Sequence, residues 1–403
     1  MSTHQTMNTA GSRPARLSLT RQERKASILL ALLFASRMLG LFLLTPVFAV
    51  AAHALPGGND AARVGLALGA YGLTQAVLQI PLGMASDRFG RRPVIVIGMA
   101  LFVIGGVISA LAQHIDWVTV GRCIQGLGAV SAAISAWVAD STRPEVRTRA
   151  LAMVGGSIGL SFAVSLVLSP VLVGQFGLSG LFWAISLLGF VCLLIAAFAV
   201  PSAPKAPASI VRVTAGQVLR HMDLLRLKIG VFCMHFILMS LFIVVPGILA
   251  TLGGYGTQDL WKVYLPVILV SFVLMVPAVF WTETRKRHKQ ALELAALLLI
   301  VVLAVMPWAR DALVPMVAAL TLFFIGFNVL EALQPSLVSR VAPPEYKGLA
   351  LGFYNTSQSL GVFAGGLVGG VLAGRGQIQW VLWTGAALAV LWLLTARGFK
   401  DKY

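Results

Sequence analysis

The chain has 403 residues, of which 58% are hydrophobic and only 11% are charged, against about 25% charged residues in an ordinary soluble domain. So few charges cannot cover a water-facing surface, which excludes a soluble enzyme, a disordered protein and a secreted disulfide domain. A membrane-spanning helix takes about 20 apolar residues, so the roughly 234 hydrophobic residues suffice for nearly twelve. The composition therefore predicts an all-α polytopic membrane protein.

Twelve apolar runs, numbered here as spans 1 to 12 in chain order, can be placed along the sequence. They lie at about 26–52, 61–86, 93–113, 115–139, 150–173, 179–200, 227–252, 260–282, 290–309, 312–335, 349–373 and 377–396. Lipid offers the backbone no hydrogen-bond partner, so apolar runs of this length predict helices.

A long connection over 201–226 divides the spans into a six-helix bundle at 26–200 and a second at 227–396, flanked by tails at 1–25 and 397–403. Within the connection, Val218–Arg226 alternates apolar and basic residues at helical spacing, which predicts an amphipathic helix on an anionic membrane surface. Two such bundles predict a cavity between them at mid-membrane depth.

The net charge of +17 would suggest nucleic-acid binding in a soluble chain. Here 25 of the 31 basic residues fall in the tails, the central connection and alternate loops, and only four fall on the other side. This asymmetry predicts that both termini are cytoplasmic, in a cell inner membrane, with no nucleic-acid partner. The remaining two basic residues, Arg37 and Arg122, lie inside spans.

Span 2 runs into the sequence Gly83-Met84-Ala85-Ser86-Asp87-Arg88-Phe89-Gly90-Arg91-Arg92-Pro93, which fits the pattern G-x-x-x-D-R-x-G-R-R. Gly83 and Asp87 are four residues apart and share one helix face, where a glycine lets a neighbouring helix approach closely. A carboxylate at that place can cap the positive N-terminal end of the neighbour. The simpler alternative is that Arg88, Arg91 and Arg92 are ordinary positive-inside charges.

Span 4 carries Arg122-Cys123-Ile124-Gln125-Gly126-Leu127-Gly128-Ala129, which fits R-x-x-Q-G-x-G-A. Together with the loop after span 2, it resembles two signature motifs of the major facilitator superfamily. Four shorter stretches are similar to the YajR-type branch of the drug–proton antiporters: Ser36-Arg37-Met38-Leu39-Gly40, Tyr71-Gly72-Leu73-Thr74-Gln75-Ala76-Val77, Phe327-Asn328-Val329-Leu330-Glu331-Ala332 and Tyr346-Lys347-Gly348. With the run of spans, the resemblance covers nearly the whole chain.

The resemblance implies the major facilitator fold of two six-helix bundles and proton-coupled transport by alternating access. It implies that Asp87 meets the start of span 11, around Gly348 to Gly352, in the outward-facing state. It also implies that Arg91 bridges Asp87 to Asp140, so that the cluster acts as a conformational switch. By the same resemblance, Arg122 takes part in proton coupling.

Glu331 is the only carboxylate deep within a span, and ionisable groups inside a membrane are costly. With Asn328 three residues before it and Gln334 three residues after it, it forms a polar stripe on span 10. A low dielectric favours the protonated carboxyl, so Glu331 is a candidate proton or cation site. The alternative is a structural, hydrogen-bonded glutamate.

Two arginines and a histidine also lie within spans. Arg37 in span 1 needs a counter-charge, a cluster of carbonyls or an anionic substrate. Arg122 has no evident partner, since spans 1 to 6 contain no buried acid, whereas related antiporters carry one in span 1. His235 in span 7 is a second candidate for the proton, and a neutral core histidine is the alternative.

Two further spans carry polar faces at helical spacing. These are Tyr71, Gln75 and Gln79 on span 2, and Tyr354, Asn355 and Gln358 on span 11. A polar stripe in lipid turns toward a wet cavity or toward another helix, and the spacing alone does not choose between them. With Arg37 and Asn328, these residues are the candidate substrate cavity.

The leading hypothesis is a monomeric secondary transporter that exports small hydrophobic or cationic compounds in exchange for protons. It needs a small-molecule substrate, protons and a lipid bilayer, and no cofactor or metal. The rivals are uptake of a metabolite without protons or by symport, and a receptor that binds without transport. An intramembrane hydrolase, suggested by Gly177-Leu178-Ser179-Gly180, is remote because such a short match is common by chance.

Overall fold

The computed structural model of the protein describes residues 18–201, 215–343 and 347–400. Predictions for most of the N-terminal tail, the opening of the central connection, Tyr346 and the last three residues concern positions outside these ranges.

The first half of the chain is built from helices that begin within a few residues of the predicted spans. They are Arg21–Phe42, Phe48–Ala51, Ala61–Phe89, Arg91–Ala110, Ile115–Leu127, Ser131–Asp140 and Pro144–Leu194, with a 3₁₀ turn at Ala52–Ala54 and a π turn at Ile195–Ala199. The last long helix bends at Gly177, whose φ of 67° lies in the left-handed region that favours glycine. Its 51 residues exceed one crossing, so Gly177 divides spans 5 and 6.

The second half continues the pattern. Its helices are Ala215–Arg220, Met222–Gly253, Trp261–Arg285, His288–Ala309, Leu313–Val341, Lys347–Gly374 and Ile378–Arg397, with a 3₁₀ turn at Thr257–Asp259. With the bend at Gly177, the apolar helices supply twelve crossings, so the predicted all-α fold of two six-helix bundles is confirmed.

The stretch Val218–Arg226 differs from the single amphipathic helix predicted for it. The helix stops at Arg220, and a new one begins at Met222 and continues into span 7. His221 has an extended backbone, and its Nδ1 accepts a 3.4 Å hydrogen bond from the amide of Leu224. Its side chain thus caps the N-terminus of span 7, which overrides the local helical spacing.

Span 4, predicted as one helix, is broken in its middle. Its first helix ends at Leu127 and its second begins at Ser131. A Cβ on Gly128 would collide with the backbone carbonyl oxygen of Gly98 on span 3, so only a glycine permits this close approach. The break leaves backbone groups at mid-membrane depth that other residues must satisfy.

The two bundles meet at the end of the molecule opposite the basic loops, which we call the distal end; the other is the basic end. Gly65 and Gly69 on span 2 pack against Gly366 on span 11, whose added Cβ would lie 2.7 Å from the carbonyl oxygen of Gly65. At the same end, the Tyr264 hydroxyl lies 3.5 Å from the carbonyl oxygen of Pro46, which joins spans 8 and 1.

Toward the basic end, spans 2 and 11 separate. A Cβ on Gly352 would lie 3.8 Å from Ile80, and one on Gly348 would have no atom of the described residues within 4 Å. At Gly83 the nearest described atom is the Cβ of Ala132, which belongs to the same bundle at 3.5 Å. The tight glycine contacts between spans 2 and 11 are therefore confined to the distal part of these spans, while span 11 also contacts the second helix of span 4.

We predict that Gly366→Ala destabilises this conformation, because the new methyl group forces the backbones of spans 2 and 11 apart. Overpacking of this kind costs about 1–3 kcal/mol. Thermal unfolding of the detergent-purified protein measures the effect. Gly155→Ala is the matched control, since a Cβ there meets nothing within 4 Å. Equal melting temperatures for the two variants would contradict the tight crossing.

Candidate functional site

The loop after span 2 holds an ion-pair cluster at the basic end. Arg91 contacts the Asp87 carboxylate, and its Nε donates to Oδ2 of Asp140 at 2.9 Å. Its Nη1 also donates to the Ser86 hydroxyl at 2.7 Å, and Ser86 donates in turn to the carbonyl of Gly83 at 2.7 Å. Arg91 therefore bridges the ends of spans 2 and 4, in the geometry that the resemblance implied.

The remaining residues of the loop shape and anchor it. Gly90 has φ 97°, which lets the chain turn directly from span 2 into span 3. Arg92 donates to the carbonyl of Val200 at 2.6 Å and lies 5.8 Å from the ring centre of Trp137, so it ties span 3 to the end of span 6. Arg88 lies over the exposed ring of Phe89.

Asp87 is 65% exposed, and the described residues of span 11 give it neither a hydrogen bond nor an ion pair. Among the described residues, the implied contact between Asp87 and span 11 is therefore not made in this structure. The role of the cluster as a switch stays a prediction.

The second bundle has a matching cluster, built on the run Glu283-Thr284-Arg285-Lys286-Arg287-His288-Lys289, a degenerate copy of the first motif whose partner Arg340 the sequence did not reveal. Nη2 of Arg340, at the end of span 10, donates to Oε2 of Glu283, at the end of span 8, at 2.7 Å. Nη1 of Arg340 lies 3.2 Å from Nε2 of the fully buried His288. Each bundle therefore links the basic ends of two spans through an arginine. The signal available in the sequence was an acid followed by a basic run after span 8.

Arg37 lies at the break in span 4. Its Nε donates to the carbonyl of Gly128 at 3.2 Å, and its Nη1 contacts the hydroxyl of Ser131. It is thus a second donor to this carbonyl, which also accepts from the amide of Val130 at 2.8 Å and lies at the C-terminal end of the first helix, where the helix dipole carries partial negative charge. Of the partners predicted for Arg37, the structure supplies one carbonyl, and it adds the hydroxyl of Ser131, which was not predicted.

Arg122 is also fully buried in the first bundle. Its Nη1 donates to Oε1 of Gln125 at 3.0 Å, and its guanidinium carbon lies 4.6 Å from the ring centre of Tyr71. The guanidinium carbon of Arg37 lies 5.8 Å from the same ring. Tyr71 therefore joins the two arginines, a contact between spans 1, 2 and 4 that sequence spacing did not show.

A polar chain in the second bundle joins three spans. Nδ1 of His235 lies 3.1 Å from the carbonyl of Val231, and its Nε2 lies 2.7 Å from the amide nitrogen of Gln358. Oε2 of Glu331 is 3.8 Å from His235 Nε2 and has no hydrogen-bond partner, although the Glu331 side chain is 23% exposed. The two proton candidates, Glu331 and His235, are therefore neighbours.

The other predicted cavity residues differ in exposure. Those buried in this conformation are Arg37, Tyr71, Gln75, Gln79, Asn328 and Tyr354. Asn328 donates to the hydroxyl of Ser271 on span 8 at 3.0 Å, which is a contact between helices. Asn355 and Gln358 are half-buried. In this structure, burial of the six residues favours contacts between helices over cavity lining for them. Asn355 and Gln358 are partly exposed, so they can still contact a substrate.

Sequence reasoning missed an aromatic cluster that joins the two bundles. The ring of Phe162 on span 5 lies 5.8 Å from that of Phe324 and 5.9 Å from that of Phe327 on span 10. Phe42 on span 1 adds a ring 5.1 Å from Phe162. Phe327 is one helical turn from Glu331 toward the distal end. The rings therefore separate Glu331 from the distal end. Phenylalanines in apolar runs carry no signal that distinguishes such contacts from ordinary packing.

Two six-helix bundles that pack against each other, with charge clusters at the basic end, are an architecture of membrane transporters. Residues 30–365 match the family model of the Major Facilitator Superfamily, and the chain belongs to that family. It is 40% identical to the inner membrane transport protein YajR of Escherichia coli (strain K12) over 387 residues, which are 95% of this chain and 85% of that protein.

A more distant relative is the multidrug resistance protein MdtH of Aeromonas hydrophila subsp. hydrophila, which is 28% identical over 81% of this chain and 83% of its own length. Among solved structures, a bacterial homologue of the human lysosomal transporter Spinster, in an inward-facing and unoccupied conformation, superposes with a TM-score of 0.73 at 14% identity. That match covers 96% of this chain and 99% of the homologue.

The protein is therefore an integral membrane transporter and not an enzyme. This corrects the remote hydrolase alternative. Ser179, which suggested it, donates its hydroxyl hydrogen bond to the carbonyl of Ala110 and so joins spans 6 and 3.

Proposed function

We propose that this transporter exports small hydrophobic or cationic compounds from the cytoplasm in exchange for protons, as a monomer working by alternating access. The basic end faces the cytoplasm, in accord with the distribution of arginine and lysine. The closed distal end and the separated basic end then correspond to an inward-facing state.

The observation that carries the proposal is the position of Glu331. Among the described residues its Oε2 is buried without a hydrogen-bond partner, while 23% of the side chain is exposed, and Glu331 lies nearer the basic end than Phe324 and Phe327 of the aromatic cluster. An unpaired carboxylate inside a membrane is costly, and taking up a proton removes the cost. We therefore propose that Glu331 exchanges a proton with the cytoplasmic side.

The polar chain around Glu331 supports a link between the proton and the moving spans. His235 stands on span 7 and Gln358 on span 11, so a change of charge at Glu331 acts on both helices. Span 11 packs against span 2 of the other bundle through glycines. Protonation at Glu331 therefore reaches the interface between the bundles through span 11. The similarity to MdtH, which carries a multidrug resistance name, supports hydrophobic or cationic cargo.

Proteoliposomes with ethidium as the probe test the proposal. A pH difference of one unit is worth about 1.4 kcal/mol per proton, so one-for-one exchange accumulates ethidium about tenfold. We expect a protonophore to abolish this accumulation, and ethidium addition to drive protons in the opposite direction. Ethidium flux indifferent to the proton gradient would favour proton-independent uptake, and protons moving with ethidium would favour symport.

A further inference from the structure

The first bundle buries two positive charges without a carboxylate to balance them. Arg37 is 1% exposed and Arg122 is 0% exposed. Every acid of that bundle stands at a helix end or in a loop: Glu23, Asp60, Asp87, Asp116, Asp140 and Glu145. The carboxylate of Glu331 lies in the other bundle, where His235 is its neighbour.

Several hydrogen-bond donors of this pair are unused. Within the described part of the chain, Nη2 of Arg37, Nε and Nη2 of Arg122, and the hydroxyl of Tyr71 are all buried without a partner. Burying a hydrogen-bond donor without a partner is unfavourable, and more so when the donor is charged. Since both guanidinium carbons lie close to the ring of Tyr71, at 5.8 and 4.6 Å from its centre, the donors belong to one locality.

The second helix of span 4 adds positive potential on one side of the break, opposite the partial negative charge at the end of the first helix. The second helix of span 4, Ser131–Asp140, begins at the residue that Arg37 contacts. The amide groups of a first helical turn have no partner within the helix, and the dipole favours negative charge there. Broken helices whose N-terminal ends point at anionic groups are a recurrent feature of secondary transporters.

We propose that Arg37, Arg122, Tyr71 and the N-terminal end of the second helix of span 4 form a binding site for one compact monovalent anion. The carbonyl of Gly128 offsets part of the charge of Arg37, and a single negative charge offsets one of the two guanidinium charges. The anion that fits this site is a halide ion or a carboxylate group. The source is either a free inorganic anion or the carboxylate of a transported compound.

A bound anion has a consequence for transport. Two uncompensated guanidinium groups repel a cationic cargo in a low-dielectric interior, and a bound anion weakens that repulsion by offsetting one of the two charges. The anion site stands on the first bundle alone and does not depend on proton exchange at Glu331. Failure of either proposal therefore leaves the other standing.

The test uses the detergent-purified full chain in gluconate buffer at constant ionic strength and pH. Chloride, bromide and benzoate are titrated while thermal unfolding is followed, and equilibrium dialysis with radiolabelled chloride and benzoate measures binding directly. We expect a saturable rise in melting temperature for the wild-type protein. Arg122→Gln is expected to weaken anion binding at least about tenfold, since it removes charge-assisted hydrogen bonds.

Matched variants separate the site from general salt effects. Tyr71→Phe, which keeps the ring and removes the hydroxyl, is expected to weaken binding about threefold to tenfold. Arg375→Gln changes an exposed arginine near the distal end and is expected to leave binding unchanged. Glu331→Gln is also expected to keep the anion response. If Arg122→Gln does not fold, Arg122→Lys and the wild-type dialysis still decide the question.

The anions distinguish the two sources. Chloride binding that benzoate does not displace identifies a resident inorganic anion. Benzoate that competes with chloride and exchanges across proteoliposome membranes identifies a carboxylate of the cargo. Absence of saturable binding of all three anions to the wild-type protein overturns the proposal, as does an equal response of wild type, Arg122→Lys and Tyr71→Phe.

Discussion

Replacing Glu331 with glutamine is expected to abolish accumulation of ethidium against a pH gradient while leaving exchange of ethidium across the membrane intact. Glutamine keeps the size and polarity of the side chain but can neither bind nor release a proton. The wild-type protein is expected to accumulate ethidium about tenfold per pH unit, and in the variant the ethidium concentration should stay equal on the two sides of the membrane. Proteoliposomes with an imposed pH difference measure accumulation, and counterflow without a gradient measures exchange.

Two variants sharpen this experiment. Glu293→Gln is the matched control, because Glu293 lies on span 9 near the basic end, 31% exposed and 4.0 Å from Lys289. It should transport as the wild type does. His235→Gln tests the rival carrier of the proton, since it keeps a polar group beside Glu331. Loss of proton coupling in His235→Gln with full coupling in Glu331→Gln would assign the proton to the histidine.

Asp87→Asn is expected to slow proton-driven transport and counterflow together, by about tenfold. In the outward-facing state the carboxylate is expected to lie at the N-terminal end of span 11, where a negative charge contributes up to about 2 kcal/mol. Its loss also removes an ion pair with Arg91. Both the contact with span 11 and the ion pair with Arg91 act on the balance between the two conformations. Proton-driven transport and counterflow both require the change of conformation, so both are slowed alike. Initial rates in the same proteoliposomes measure the effect.

Asp116→Asn is the control for a general loss of surface charge. Its side chain is 63% exposed, close to the 65% of Asp87, and it also pairs with an arginine. We expect its rates to match those of the wild type. If Asp87→Asn kept the wild-type counterflow rate, the cluster would not control the conformational cycle, and its arginines would be ordinary positive-inside charges.

The two clusters at the basic end differ in how well their contacts could be predicted from a sequence motif. The spacing of Gly83, Asp87 and Arg91 was enough to propose contacts with Asp140, because the pattern resembles a known signature loop. The corresponding cluster of Arg340, Glu283 and His288 has no such signature, since the second bundle lacks the glycines of the first. The cluster is visible in the structure, where the ends of spans 8, 9 and 10 are adjacent and bring Arg340 to Glu283 and His288.

Span 4 shows the limit of reading apolar runs. Its residues are apolar enough for one continuous helix, and the glycines of its motif are compatible with either a straight or a broken helix. The break is stabilised by the close approach of span 3 at Gly128 and by Arg37, which lies 91 positions earlier in the chain. Neither contact can be read from local spacing.

Composition and residues a few positions apart were enough to predict a membrane protein of twelve spans in two halves, with its basic loops on one side and a transporter signature after the second span. Contacts between distant polar side chains, such as His235 and Gln358, 123 positions apart, became visible only in the folded molecule. A helix in lipid satisfies its own backbone, so its local sequence does not specify its neighbours. Glycine contacts and buried polar partners between distant spans set the packing instead.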